Sequence, residues 1–169
     1  MPTMTDPREL FLHELGDVLY AENVMVKALP KMAEEAEDPE LRAGFEEHLE
    51  ETRGQIENLK TVFEQLGEKP KAEQCPAIEG IKAEHDEFLS EHEPSPEVCD
   101  LFLTGSGART EHYEIAAYTG LITMAKALGE SEAASLLEEN LEQEKAAADK
   151  LEAAAERLAG AAAQDGASA

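Results

Sequence analysis

Six side chains of this sequence fall where a helix in a folded bundle normally carries Leu or Ala: Glu22, His48, Glu51, Glu111, Glu114 and Glu144. Each lies on, or at the edge of, an apolar stripe with three- and four-residue spacing. Around Glu22 the stripe reads Leu15, Val18, Leu19, Val26, Leu29 and Met32; around His48 and Glu51 it reads Leu41, Phe45, Ile56, Leu59 and Phe63. Glu111 and Glu114 lead into Tyr118, Leu121 and Ala125, and Glu144 sits between Leu141 and Leu151. Buried anions held close together raise one another's pKa, and isolated burial costs on the order of several kcal/mol each. A pair of divalent or trivalent cations would relieve that cost. Hard oxygen donors with an occasional imidazole suit iron or manganese.

Those side chains must be positioned by long helices. Asp6-Pro7, with Glu9 behind, reads as an N-cap and an N1 proline opening a helix to about Ala36. Pro30 inside it predicts a local distortion. Asp38-Pro39 opens a second helix that ends at Leu66-Gly67, and Ser95-Pro96 opens another that ends at Gly129. The stretch between them carries a shorter helix near Pro76–Glu91. Ser131 opens the last helix, which is expected to fade near Gly160. The reading is therefore one bundle domain over 1–160 and a disordered Ala/Gly/Ser tail over 161–169.

An ungapped shift of 92 residues lays the first helix pair on the last, with Glu22 on Glu114, Met32-Ala33 on Met124-Ala125 and Leu49-Glu50 on Leu141-Glu142. Two helical hairpins related by a pseudo-twofold follow from this, joined by a long crossover. The fold class is all-α: a ferritin-like four-helix bundle with an extra short helix in the crossover. Glu22 lies about 15 residues before the first hairpin turn and Glu51 about 13 after it, so at ~1.5 Å per residue both stand ~20–23 Å from that turn. Glu114 and Glu144 stand in the same relation to the second turn. The carboxylates are expected to meet in one layer.

The 169 residues include 38 acids against 14 Lys and Arg, a formal charge of −24. Such a surface repels nucleic acid and anionic membranes and favours cations. The surplus fits a halophilic host, a strongly solvated surface or buried carboxylates with a function. No apolar run is long enough to span a membrane, and no signal peptide is readable. Two isolated cysteines, Cys75 and Cys99, point to a reducing, cytoplasmic setting and read as small core residues. His13, His85, His92 and His112 are assigned to the surface or an interface, Tyr118 to the core, and Gln55 to a supporting position beside Glu51.

The strings LFLHELGDVLYAENVMVKALPKMA, EEHLEETRGQIENL, QCPAIEGIKAE, RTEHYEIAAY and LEENLEQEKAA resemble the bacterial YciE/YciF proteins, the DUF892 family of the ferritin-like superfamily. The resemblance covers about residues 9–158. It implies a ferritin-like bundle, usually dimeric, associated with stress responses. Glu22, His48, Glu51, Glu111, Glu114 and Glu144 match the family's motifs. The general di-iron pattern carries Glu-x-x-His on two helices. This chain has His48-x-x-Glu51 in the reverse order, and Gly54 and Ala147 where the histidines would fall.

Two functions are expected from these readings. In one, Glu22, Glu51, Glu114 and Glu144 hold two iron or manganese ions, with His48 as nitrogen donor or support and Glu111 as an alternate bridge, for oxidase- or catalase-like chemistry. In the other, the chain is a non-catalytic bundle of the stress response acting through an oligomer interface, with its buried acids protonated or hydrogen-bonded in pairs.

Overall fold

Five helices account for nearly all of residues 3–166, the part of the chain that the computed structural model describes. They are α1 (Pro7–Glu35), α2 (Pro39–Gln65), α3 (Pro76–Glu91), α4 (Pro96–Leu128) and α5 (Ser131–Gly166). The start signals act as their chemistry dictates. The Asp6 carboxylate accepts from Arg8 N at 2.9 Å, and the Asp38 carboxylate accepts from Leu41 N at 2.8 Å. Pro residues occupy the first turns of α1 to α4, where the missing N–H costs nothing. Helix α1 carries on through Pro30 to Glu35.

The turn after α4 needs a left-handed residue, and Gly129 supplies it at φ 81°. Glu130 N then donates to Ala125 O at 2.9 Å, which closes the helix end. Helix α5 does not stop at Gly160 and runs to Gly166, because that glycine is not left-handed and Ala161–Ala163 favour helix. Of the tail expected to be disordered, residues 167–169 lie outside the described part.

Helices α1 and α2 form one hairpin, α4 and α5 the other, and the hairpins face each other through α1 on α4 and α2 on α5. Helix α3 belongs to the crossover and packs across α4 and α1. The chain leading to it passes so close over α1 that a Cβ at Gly16 would stand 2.7 Å from Lys71 O, and Glu73 N donates to Gly16 O at 2.9 Å. The four-helix bundle with a crossover helix read from the sequence is the architecture found.

The core is divided. One apolar cluster gathers Phe11, Leu15, Leu59, Phe63, Leu121 and Leu137 towards the α4–α5 turn. A second gathers Met25, Leu29, Leu41, Phe45, Leu103 and Leu151 towards the α1–α2 turn. Between them lies a layer of buried polar side chains.

Candidate metal centre

The polar layer is built from one helical turn of each long helix. Glu22 comes from α1, His48 and Glu51 from α2, Glu111 and Glu114 from α4, and Glu144 from α5. Glu22, Glu114 and Glu144 are wholly inaccessible, and Glu111 and His48 nearly so. The three- and four-residue spacing that put Leu and Ala on the inner faces carries these side chains inward with them.

His48, Glu111, Glu114 and Glu144 each offer a donor atom, and these atoms all lie within 4.8 Å of one another. The His48 ring organises one side. Its Nδ1 is 3.1 Å from Glu51 Oε2, and its Nε2 is 3.4 Å from Glu111 and 3.6 Å from Glu144. Glu22 stands beside the group, where the Tyr118 hydroxyl donates to its Oε1. Glu51 lies beyond His48 at the edge of the bundle, with 27% of its side chain exposed.

The electrostatics follow from this crowding. Burial raises Glu22 to about 7, although the Tyr118 hydrogen bond and the nearby His48 pull the other way. Burial, with Glu22, Glu144 and Glu111 alongside, pushes Glu114 well above the carboxylate range. Glu144 rises likewise through burial and the neighbouring Glu111. Burial opposes the His48 imidazolium, yet Glu111 and Glu51 outweigh it and hold His48 well above its ordinary value. In return, His48 overcomes the burial of Glu111 and holds that carboxyl below its ordinary value.

Among the described residues, six buried carboxylate oxygens here have no hydrogen-bond partner: Glu22 Oε2, Glu111 Oε2, both of Glu114 and both of Glu144. Buried polar atoms are ordinarily satisfied, so a cluster of orphaned acceptors around one imidazole marks a place suited to cations. The donor set, oxygen-rich with one nitrogen, is one that could hold a hard metal ion. Of the histidine positions of the general di-iron pattern, Gly54 is exposed on the outer face of α2, whereas Ala147 is buried beside the centre.

One neighbour escaped the sequence reading. Asn140, wholly buried, donates to the Tyr118 hydroxyl at 3.1 Å and to Gln55 O at 3.3 Å, and accepts from Asn58 at 2.8 Å. Its position is the equivalent of His48 under the 92-residue repeat, which is the signal that could have revealed it. Gln55 is buried, with both side-chain polar atoms unpartnered. His85, assigned to the surface, is instead buried, and bridges Ser106 Oγ and Glu35 Oε2 at 3.0 Å each. It shares the inner face of α3 with Ile78, one repeat of the stripe away. His112 remains exposed. Cys75 is a buried residue as expected, but it also caps α3 and meets the Tyr113 hydroxyl at 2.9 Å.

A family model described as a domain of unknown function, DUF892, matches residues 6–164. Protein YciF of Escherichia coli (strain K12) is 42% identical over 144 residues, which is 85% of this chain and 86% of that protein. The crystal structure of the E. coli stress protein YciF aligns with a TM-score of 0.88 at 39% identity, covering 93% of this chain and 99% of that one. YcfI of Rhodopseudomonas palustris, for which a structural role has been put forward, aligns with a TM-score of 0.85 at 44% identity over 88% of this chain and 94% of that one. A two-domain protein of Anabaena variabilis with DJ-1/ThiJ/PfpI-like and ferritin-like domains aligns over 93% of this chain and 39% of its own length, with a TM-score of 0.62 at 19% identity. That last likeness concerns the fold alone, which is ferritin-like. Among the described residues no helix is long and apolar enough to cross a membrane.

Proposed function

This chain belongs to the DUF892 family, and from that premise we propose that it is a YciF-like stress-response protein whose bundle holds a carboxylate-bridged pair of iron or manganese ions. The observation that carries the reading is the cluster of His48, Glu111, Glu114 and Glu144, whose donor atoms lie within 4.8 Å of one another, with both oxygens of the buried Glu114 lacking a hydrogen-bond partner. Bound iron or manganese would supply redox cycling, suited to ferrous oxidation or peroxide disproportionation.

The chain's own residues have separable tasks. Glu114 and Glu144, pushed towards protonation by burial, would hold the ions, and their binding would be coupled to proton release. Glu111, held below its ordinary value by His48, would be ready as an anion to help hold the ions. His48 is oriented by Glu51 through Nδ1, which leaves Nε2 directed at the centre. Tyr118 turns Glu22 by hydrogen bonding to one of its oxygens and leaves the other free.

The non-catalytic alternative requires the acids to be satisfied within the protein. Both Glu114 oxygens lack a donor, which favours the metal reading. We further propose that the protein works as a homodimer in the cytoplasm; its two free cysteines suit a reducing compartment.

The test is elemental analysis after anaerobic loading with Fe(II) or Mn(II). The expected content is about two ions per chain, and less than about one overturns the reading. Replacing Glu22, Glu111, Glu114 and Glu144 together by Gln separates the alternatives. The variant should fold without metal and lose all metal-dependent stabilisation.

A further inference from the structure

A cleft of about 520 Å³ opens between α2 and α5, and His48, Glu51 and Glu111 are among the residues that line it. It therefore leads straight onto the centre. Its walls are apolar, with Leu41 and Phe45 on one side and Leu151 and Ala154 on the other. Ala147 lines it too, at the position where a Glu-x-x-His motif beginning at Glu144 would place an imidazole. A methyl group stands there instead, so the departure from the di-iron pattern and the opening of the cleft coincide. Glu111, which lines the cleft, is 2% exposed, and its Oε2 lies 3.4 Å from His48 Nε2.

We propose that this cleft binds a neutral aliphatic molecule ending in an O–H group, which enters between α2 and α5 and brings its oxygen to the His48–Glu51–Glu111 end of the centre. The inference rests on the metal reading for what that oxygen meets. The apolar walls select the aliphatic body, and the volume has room for a chain of about eight carbons or more.

The charges select a neutral head. The cations at the outer edge are already engaged: Lys150 with Glu47 at 2.7 Å, and Arg157 with Asp38 at 2.8 Å and Glu40 at 3.2 Å. Glu51, which orients His48 rather than holding a cation, keeps an anion at the cleft and disfavours a carboxylate there. A hydroxyl donates to such acceptors and also offers lone pairs to a cation.

Gly44 lines the same cleft, and a Cβ there would meet nothing within 4 Å. Gly44→Leu therefore fills the space without a clash at Cβ, and it removes a helix-interior glycine. The experiment measures octan-1-ol and octanoate binding to manganese-loaded wild type and G44L by calorimetry. It also measures manganese-induced relaxation of the alcohol protons, with metal content determined on the same samples.

Octan-1-ol should bind wild type at least about tenfold more tightly than G44L, and at least about tenfold more tightly than octanoate binds. Its C1 protons should relax faster than its methyl protons. Equal binding to G44L, tighter octanoate, or fastest relaxation at the methyl would overturn the proposal. Full metal content without octanol binding sinks the cleft and leaves the metal reading intact. Octanol binding that G44L abolishes, in samples that take up no metal, sinks the metal reading and supports the cleft.

Discussion

Tyr118 on α4 donates its hydroxyl hydrogen across the bundle to Glu22 on α1, and both side chains are wholly buried. The bond ties the two hairpins together and engages one carboxylate oxygen of Glu22. Tyr118→Phe removes the donor and also takes an acceptor from Asn140. The loss is expected to be about 1–3 kcal/mol, the cost of leaving a buried group unsatisfied, read as a lowered urea midpoint. Glu22 should then titrate above its present value of about 7, because the hydrogen bond that favours its ionised form is gone. Isotope-edited infrared spectroscopy of the carboxyl band reads that shift.

Metal-free protein should lose stability as pH rises from about 4.5 to 7. Glu22, Glu114 and Glu144 are raised in the folded state, so the unfolded chain releases their protons first and gains on the folded one. His48 acts in the same direction: its stabilisation is complete below its unfolded pKa and is lost as pH climbs through its raised folded value. Metal binding should reverse the trend and release protons, so its apparent affinity grows with pH. Calorimetry in buffers of different ionisation enthalpy counts the protons. A binding heat independent of the buffer would contradict the prediction.

The acid side is governed elsewhere. Asp38 caps α2 and is gripped by both Arg157 terminal nitrogens at 2.8 Å, which draws its pKa down from 3.8 to about 2. That contribution is present above about pH 4 and disappears as pH falls through 2. Arg157→Met should flatten the thermal-midpoint profile between pH 2 and 4 and leave it unchanged in shape above pH 5.

Asp100 on α4 accepts from Glu37 N at 2.9 Å and Asp38 N at 3.0 Å, so one buried carboxylate holds the backbone of the α1–α2 turn. Asp100→Ala should cost about 2–4 kcal/mol by chemical denaturation, with both N–H groups left without their acceptor. Asp100→Asn keeps one acceptor oxygen and should cost less.

The legible and illegible parts of this molecule divide along physical lines. The inward direction of Glu22, His48, Glu111, Glu114 and Glu144 could be read because helical periodicity assigns a face without knowledge of any partner. The turn at Gly129 was legible for a similar local reason. Asp100 was not, since its purpose is set by two N–H groups more than sixty residues away in sequence. Glu51 shares its stripe with His48, yet its side chain ends at the bundle's edge, because spacing fixes an angle on the helix and not a depth. His85 looked like a surface residue until α3 was docked on α1 and α4, and no local pattern encodes that docking.

The layer of acids also cuts the hydrophobic interior into two short cores stacked end to end, one holding Phe11, Leu59 and Leu137, the other Leu29, Phe45 and Leu103. Cooperativity between them then depends on what bridges the break. In metal-free protein, amide exchange should report two units of unequal protection, the end nearer the α1–α2 turn opening separately from the other. Ions seated in the layer would act as rivets and merge the two units into one. Metal uptake would be felt at both ends of the bundle, some twenty ångströms from any ligand.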